Sequence, residues 1–280
     1  MFKNSISHLV PVISLLVALG ACSTGSVAPN QPLAAEDVPE IRPGILQGYL
    51  PLDAPMKSVE FVLPAPAADS PRQTMDNMVM ERTLALRGSP RWEMATLDAD
   101  LSFPAAADTF SCTLGIPISE SQTPALYMLL RRTLADFGFS TYSAKNAYQR
   151  ERPFMVNGQP ICTPEYEDML RKDGSYPSGH TAIGWGWGLM LSQLAPDNAE
   201  ALLARGRAFG ESRNVCNVHW RSDVIAGRMA ASAVFARLNN DAQFLAAMDA
   251  ARAEIASVRE LALPRNRDCE AEAEALATPI

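Results

Sequence analysis

The chain has 280 residues, 48% of them hydrophobic and 20% charged, so it can build a sizeable core and is too apolar for wholesale disorder. Lys and Arg number 24 against 31 Asp and Glu, a net charge of −7, which excludes a broadly basic nucleic-acid binder. An acidic chain can still take an anionic substrate if its cations converge on one pocket.

Met1 to Ala21 carries one charge, Lys3, and an apolar run from Leu9 to Ala21. That run is short for a membrane span and fits a secretory signal peptide over 1–21. Leu19-Gly20-Ala21-Cys22 resembles the lipobox of bacterial lipoproteins. The resemblance implies a lipid anchor at Cys22 and, with Ser23 next, the outer membrane. The alternative is ordinary cleavage nearby, with Cys22 removed or left free and a soluble periplasmic or secreted product. Residues 22–45 are rich in Pro, Ser, Ala and acid, lack an apolar period, and read as a flexible tether. No later segment has the long uncharged apolar stretch of a transmembrane helix.

From there helical periodicity dominates, strand-like alternation is scarce, and no internal repeat is found. A first helical pattern covers 72–87. The next opens with Thr123 as N-cap and Pro124 at the first helical position, sets Leu126, Leu129, Leu130, Leu134 and Phe137 on one stripe, and stops at Gly138. Over 181–194, Ile183, Trp187, Met190, Leu191 and Leu194 share a face that Pro196 closes. Gly184, Gly186 and Gly188 would weaken that helix in isolation and predict a neighbouring backbone passing very close. Further patterns cover 198–212, 217–237 and 241–262. The fold class is therefore all-α: one compact multi-helix bundle domain over 46–263, with a charged tail at 264–280, frayed except where Cys269 pins it.

Four cysteines follow the leader: Cys112, Cys162, Cys216 and Cys269. In an exported protein they predict two disulfides, and the absence of CxxC or Cys/His spacing argues against zinc. Three pairings are open; the preference is Cys162–Cys216, since both lie beside motifs that must meet.

Three clusters carry chemistry. In Lys145-Asn-Ala-Tyr-Gln-Arg-Glu-Arg152-Pro153, the two cations are seven apart, close to two helical turns, so a helix would aim Lys145 and Arg152 the same way before Pro153 forces the chain out of helix. Alone, this equally suits a solvated basic face. In Gly174-Ser-Tyr-Pro-Ser178-Gly179-His180-Thr181, a helix N-terminus offers free N–H groups to an anion, Gly179 permits close backbone approach, and Ser178 adds a hydroxyl. Alone, it is an ordinary turn and cap. In Ser212-Arg213 through His219 to Asp223, the last two are four apart and would be neighbours on a helix face. The carboxylate would fix the imidazole tautomer and leave the other nitrogen free to attack phosphorus, although a surface ion pair has the same spacing.

Together, Lys-x6-Arg-Pro, Pro-Ser-Gly-His and Ser-Arg-x5-His-x3-Asp resemble the three-part signature of the type 2 phosphatidic acid phosphatase superfamily, with every specified position matched. The form GSYPSGHT resembles the bacterial class A non-specific acid phosphatases, and the likeness extends from about Gly48 to about 262.

The resemblance implies a helical fold of the acid phosphatase and vanadium haloperoxidase type, with metal-independent hydrolysis of phosphate monoesters that needs no cofactor. Position by position, it implies His219 as nucleophile forming a phosphohistidine, Asp223 as its orienting partner and His180 as general acid and then base. Lys145, Arg152, Arg213, Ser178 and the Gly179 N–H would surround the phosphoryl oxygens. Three cations can stabilise that charge without Mg²⁺. Small phosphate monoesters are the expected substrates, inorganic phosphate the product and nucleic acid not a partner. Transfer of the phosphoryl group to an alcohol is chemically open, and homo-oligomers are an expectation by family analogy. The competing readings are a vanadate-dependent haloperoxidase on the same pocket and a non-catalytic phosphate-binding lipoprotein.

Overall fold

Serine followed by proline opens the first two helices, because Ser presents an oxygen to the orphan N–H groups of a first turn and Pro lacks the N–H that would be unpaired there. Ser70 Oγ accepts from the Gln73 N–H at α1 (Pro71–Leu84), and Ser89 Oγ accepts from the Trp92 N–H at α2 (Pro90–Leu97). The computed structural model describes residues 35–278 with Met1 and Ile280. The expected signal segment beyond Met1, the lipobox with Cys22, and the tether up to residue 34 lie outside the described residues.

Described structure begins inside the stretch expected to be a tether. A short turn at Ala35–Asp37 leads into a two-stranded antiparallel hairpin, β1 (Glu40–Arg42) and β2 (Ile45–Leu46), that turns at Gly44 with φ +78°. Buried Val38 and Leu46 give this segment the apolar anchors that its composition concealed. Arg132 donates to the Gln47 and Gly48 carbonyls, while the buried Asp136 carboxylate accepts from the Tyr49 and Leu50 N–H groups, both at 2.9 Å.

The remaining helices are α3 (Ser111–Leu114), α4 (Pro124–Phe139), α5 (Tyr142–Tyr148), α6 (Pro153–Asn157), α7 (Glu167–Leu170), α8 (Gly179–Leu194), α9 (Ala199–Val215), α10 (Arg221–Leu238), α11 (Ala242–Glu260) and α12 (Cys269–Ala277). The all-α expectation holds, the small hairpin aside. Thr123 stands at the N-cap of α4 as predicted, but its hydroxyl does not cap. Glu254 of α11 takes that task, its two carboxylate oxygens accepting from the Ala125 and Leu126 N–H groups at 3.0 and 2.9 Å. A carboxylate suits the positive end of a helix dipole, so this cap also ties α11 to α4.

Helix α8 is the axis of the molecule, packed between α9, α10 and α4 with Trp187, Met190 and Leu191 fully buried. Its glycines act in two ways. At Gly188 the predicted close approach occurs: an added Cβ would lie 3.3 Å from Gly206 Cα and 3.2 Å from the Leu202 carbonyl of α9. At Gly184 and Gly186 the space is filled by the rings of Phe209 and Phe137.

Both disulfides form, as Cys162–Cys216 and Cys112–Cys269. The second holds a C-terminal segment that is ordered rather than frayed. Asp268 caps α12, Ala275 is buried, and buried Glu272 pairs with Arg205 of α9 at 3.4 Å. Among the described residues, no helix is long and apolar enough to cross a membrane.

Candidate active site

The site forms where the N-termini of α8 and α10 meet. The Ser178 N–H donates to the Asp223 carbonyl at 3.0 Å, and Gly227 of α10 leaves room for the Ser178 carbonyl, which an added Cβ would approach to 2.5 Å. Ser178 caps α8 by accepting from the Thr181 N–H at 3.3 Å, so Gly179 and His180 occupy the first turn, where helical N–H groups lack helical partners.

His219 precedes α10 instead of lying on it. The pattern assigned to 217–237 starts as a helix only at Arg221, because Asn217 is left-handed at φ +61° and Trp220 is extended as N-cap. His219 and Asp223 meet all the same. Asp223, in the first turn of α10, reaches back to accept the Trp220 N–H at 2.8 Å, and its Oδ2 lies 3.3 Å from His219 Nδ1. The second ring nitrogen, Nε2, lies 3.1 Å from Arg152 Nη1. A guanidinium only donates, so Nε2 holds a lone pair and Nδ1 carries the proton.

Lys145 and Arg152 converge, but not along one helix. Gln149, left-handed at φ +41°, ends α5, and Pro153 opens α6 instead of breaking a helix, with Arg152 as its N-cap. Arg152 Nε donates to the Leu170 and Asp173 carbonyls at 2.9 and 3.1 Å, and Nη1 donates to the Val218 carbonyl at 3.0 Å. Lys145 Nζ donates to the Gly174 carbonyl at 2.6 Å. Burial, then the neighbouring Arg152 charge, lower the Lys145 pKa to about 8 against the pull of Asp173.

Arg213 is 2% exposed, and among the described residues its Nε and Nη1 have no hydrogen-bond partner. Burial and the charge of Arg152 lower its pKa. A buried cation with unused donors is costly, and an oxyanion would relieve it.

His180 Nε2 lies 3.0 Å from the Ala99 carbonyl, which can only accept, so Nε2 carries the proton and Nδ1 is left over. Burial, followed by the charge of Arg213, holds its pKa well below the usual imidazole range, and for His219 burial and Arg152 do the same. Both imidazoles line one cavity of about 270 Å³ together with Lys145, Arg152 and Gly179. Of the other predicted residues, Ser178, Arg213 and Asp223 are buried behind that lining. No group of His, Cys, Asp or Glu arranged to hold a metal occurs among the described residues.

Residues 124–244 match the PAP2 superfamily. The chain is 43% identical over 199 residues to an acid phosphatase of Zymomonas mobilis, covering 71% of this chain and 75% of that protein. It is 41% identical over 209 residues to a non-specific acid phosphatase of Salmonella typhimurium, covering 73% and 84% of the two chains. A non-specific acid phosphatase of Providencia stuartii is 38% identical over 213 residues, 76% and 86% of the respective chains. The chain belongs to this family of bacterial PAP2 acid phosphatases.

Within that family frame, motif reading overlooked several residues that hold the site. Arg150 pairs with Asp223 Oδ1 at 2.6 Å and with Asp76 Oδ2 at 2.7 Å, and it donates to Ser222 Oγ. Asp98 pairs with Arg205 at 2.6 Å and accepts from Ser212 Oγ at 2.6 Å, which anchors both the Ser212-Arg213 pair and the chain just before Ala99. Asp173 contacts both Lys145 and Arg152. Of these, Arg150, Ser212 and Ser222 fall inside a recognised motif; the carboxylates Asp76, Asp98 and Asp173 had no spacing signal.

Proposed function

We propose that this chain is an acid phosphatase that hydrolyses phosphate monoesters through a phosphohistidine, without a metal, and that it works in the periplasm. One observation carries the reading. Two imidazoles line a single cavity with opposite hydrogen-bond assignments, and the buried Arg213 has no partner for its Nε and Nη1 among the described residues.

The phosphoryl oxygens sit among Lys145, Arg152, Arg213, the Ser178 hydroxyl and the Gly179 N–H. Arriving oxygens draw the Arg152 guanidinium away from His219 Nε2, freeing that lone pair to attack phosphorus. Binding of the anion raises the His180 pKa so that Nδ1 takes up a proton; as the bond to the ester oxygen breaks, that oxygen takes the proton from Nδ1 and leaves His180 neutral. Asp223 stabilises the imidazolium character that develops on His219. Water then attacks the phosphohistidine and gives its proton to His180. The N–P bond breaks, its electrons return to Nε2, and inorganic phosphate leaves. Charge on the equatorial oxygens is met by fixed cations, the largest electrostatic demand of phosphoryl transfer.

The test is turnover of an aryl phosphate at acidic pH in the presence of EDTA. Full activity is expected from the mature chain and none from His219→Ala, with acid-labile and alkali-stable label from the substrate on the wild type after quenching. Strict dependence on an added divalent ion, or an unlabelled protein that turns over normally, overturns the scheme.

A further inference from the structure

Asp173 occupies a position that the mechanism leaves without a role. Its Oδ2 lies 3.2 Å from Lys145 Nζ and 3.3 Å from Arg152 Nη2, so one carboxylate oxygen bridges two cations that line the cavity. The lysine and arginine side chains are 4% and 2% exposed, but that of Asp173 is 38% exposed. The anion is thus the one member of the trio with room to leave. Its backbone stays fixed, since the Asp173 carbonyl accepts from Arg152 Nε and the Asp173 N–H donates to the Leu170 carbonyl. Rotation of the side chain alone would remove the carboxylate.

The carboxylate is not needed to aim the cations. Neutral carbonyls of Leu170, Asp173 and Val218 already orient Arg152, and the Gly174 carbonyl already orients Lys145. What Asp173 adds is charge. Two buried cations with no counter-ion would be poorly solvated in an empty site, and a half-exposed carboxylate offsets that penalty at a modest desolvation cost of its own. A phosphoryl group needs the same two donors, and two anions bridging them would repel each other at close range.

We infer that Asp173 is a displaceable counter-ion that holds the phosphoryl seat when it is empty and so sets the affinity of the site for every oxyanion, substrate and product alike. The inference rests on the reading that the phosphoryl group sits at Lys145 and Arg152. Displacing the carboxylate opposes binding, so substrate and phosphate bind less tightly than the cations alone would allow, and product leaves more readily.

The experiment is calorimetric titration of inorganic phosphate into the mature wild type, Asp173→Asn and Asp173→Ala, with aryl phosphate kinetics on the same preparations. Both variants are expected to bind phosphate more tightly, on the order of three- to tenfold, with KM lowered in the same sense and a larger phosphate-induced rise in Tm. A merely structural Asp173 would move affinity the other way, because a slackened loop misplaces the cations. Tighter binding in either variant supports the inference even where one folds poorly. Unchanged or weaker binding in both, with wild-type turnover intact, overturns the counter-ion role alone. Absence of phosphate binding in all three proteins overturns the underlying reading with it.

Discussion

The Ala99 carbonyl accepts a hydrogen bond from His180 Nε2 at 3.0 Å, and this single contact decides which nitrogen of His180 is left to exchange a proton. With Nε2 committed, only Nδ1 can pick up and release a proton. Burial and the nearby cations depress the His180 pKa, so in the empty site Nδ1 is protonated only well below the ordinary imidazole range. A bound phosphate brings the opposite charge and raises it again. The alkaline limb of kcat, which reports the complex, is therefore expected at higher pH than that of kcat/KM, which reports the free enzyme. Profiles with two aryl phosphates of different second ionisation separate the substrate's own titration from that of His180; coincident limbs would contradict this account.

Removing the acid should be felt according to the leaving group. His180→Ala is expected to lower kcat/KM for an alkyl phosphate by on the order of 10²–10⁴-fold and much less for p-nitrophenyl phosphate, whose departing oxygen needs no proton. Equal losses on both substrates would mean that His180 does not protonate the leaving group.

Arg150 acts at one remove. It does not line the cavity, yet it is bound to Asp223, Asp76 and Ser222, and Asp223 in turn faces His219 Nδ1. Arg150→Met would leave two buried carboxylates without their cation, at a cost of about 3–5 kcal/mol of stability. Because the phosphate donors are untouched, kcat should fall by on the order of tenfold or more while the affinity for inorganic phosphate holds. The measurement is kcat beside a phosphate titration on folded variant at low temperature. Equal loss of both would mean that the whole site had collapsed.

Lys145 gives the site a second pH dependence, of the same sign as that of His180 but at higher pH. With its pKa lowered to about 8, the ammonium is charged below that pH and is lost as pH rises through it. The share of phosphate affinity that Lys145 supplies should thus be complete well below pH 8 and be lost by up to tenfold per unit above it, with proton uptake on binding in that range, apart from the uptake at His180 at lower pH. Titrations in buffers of different ionisation enthalpy measure the uptake, and Lys145→Met should flatten the decline while weakening binding throughout.

Much of this site was legible in the chain because its chemistry is concentrated in three short motifs. All eight residues picked from them are at the cavity or buried behind it. What spacing misjudged was the backbone. Lys145 and Arg152 are joined by a left-handed Gln149, and His219 sits on a loop with a left-handed Asn217, so neither pair shares the helix face that its numbering suggested. Gln149 carries no local signal for that region and Asn217 only a weak one, and at Asn217 tertiary contacts add to it: its Nδ2 donates to the Asn157 side chain and the Gln159 carbonyl. Asp76, Asp98 and Asp173 were illegible for a related reason: each pairs with a partner distant in sequence, and a lone carboxylate on a polar stretch looks like surface. The same holds for α12, whose acidic composition hid the buried Glu272.

The two disulfides should separate stability from activity. Cys112–Cys269 closes a sequence separation of 157 and Cys162–Cys216 one of 54. On loop entropy alone they would contribute about 5 and about 4 kcal/mol, upper bounds for bonds whose partners retain some structure when unfolded. Their neighbourhoods differ more than their loops do. Cys269 opens α12, whose Glu272 pairs with Arg205 and Arg267, and both of these lead to Asp98 rather than to the cavity itself. Cys216 lies between Arg213 and His219, and the His219 N–H donates to the Arg213 carbonyl across that turn. Replacing Cys112 and Cys269 by Ser should therefore lower Tm more than kcat, measured below the transition. Replacing Cys162 and Cys216 should lower kcat at temperatures where the fold is intact, because the turn carrying His219, the proposed nucleophile, loses its tie to the 158–170 segment. If instead both pairs lowered kcat only in proportion to the unfolded fraction, the disulfides would be staples of the fold with no hold on the geometry of His219.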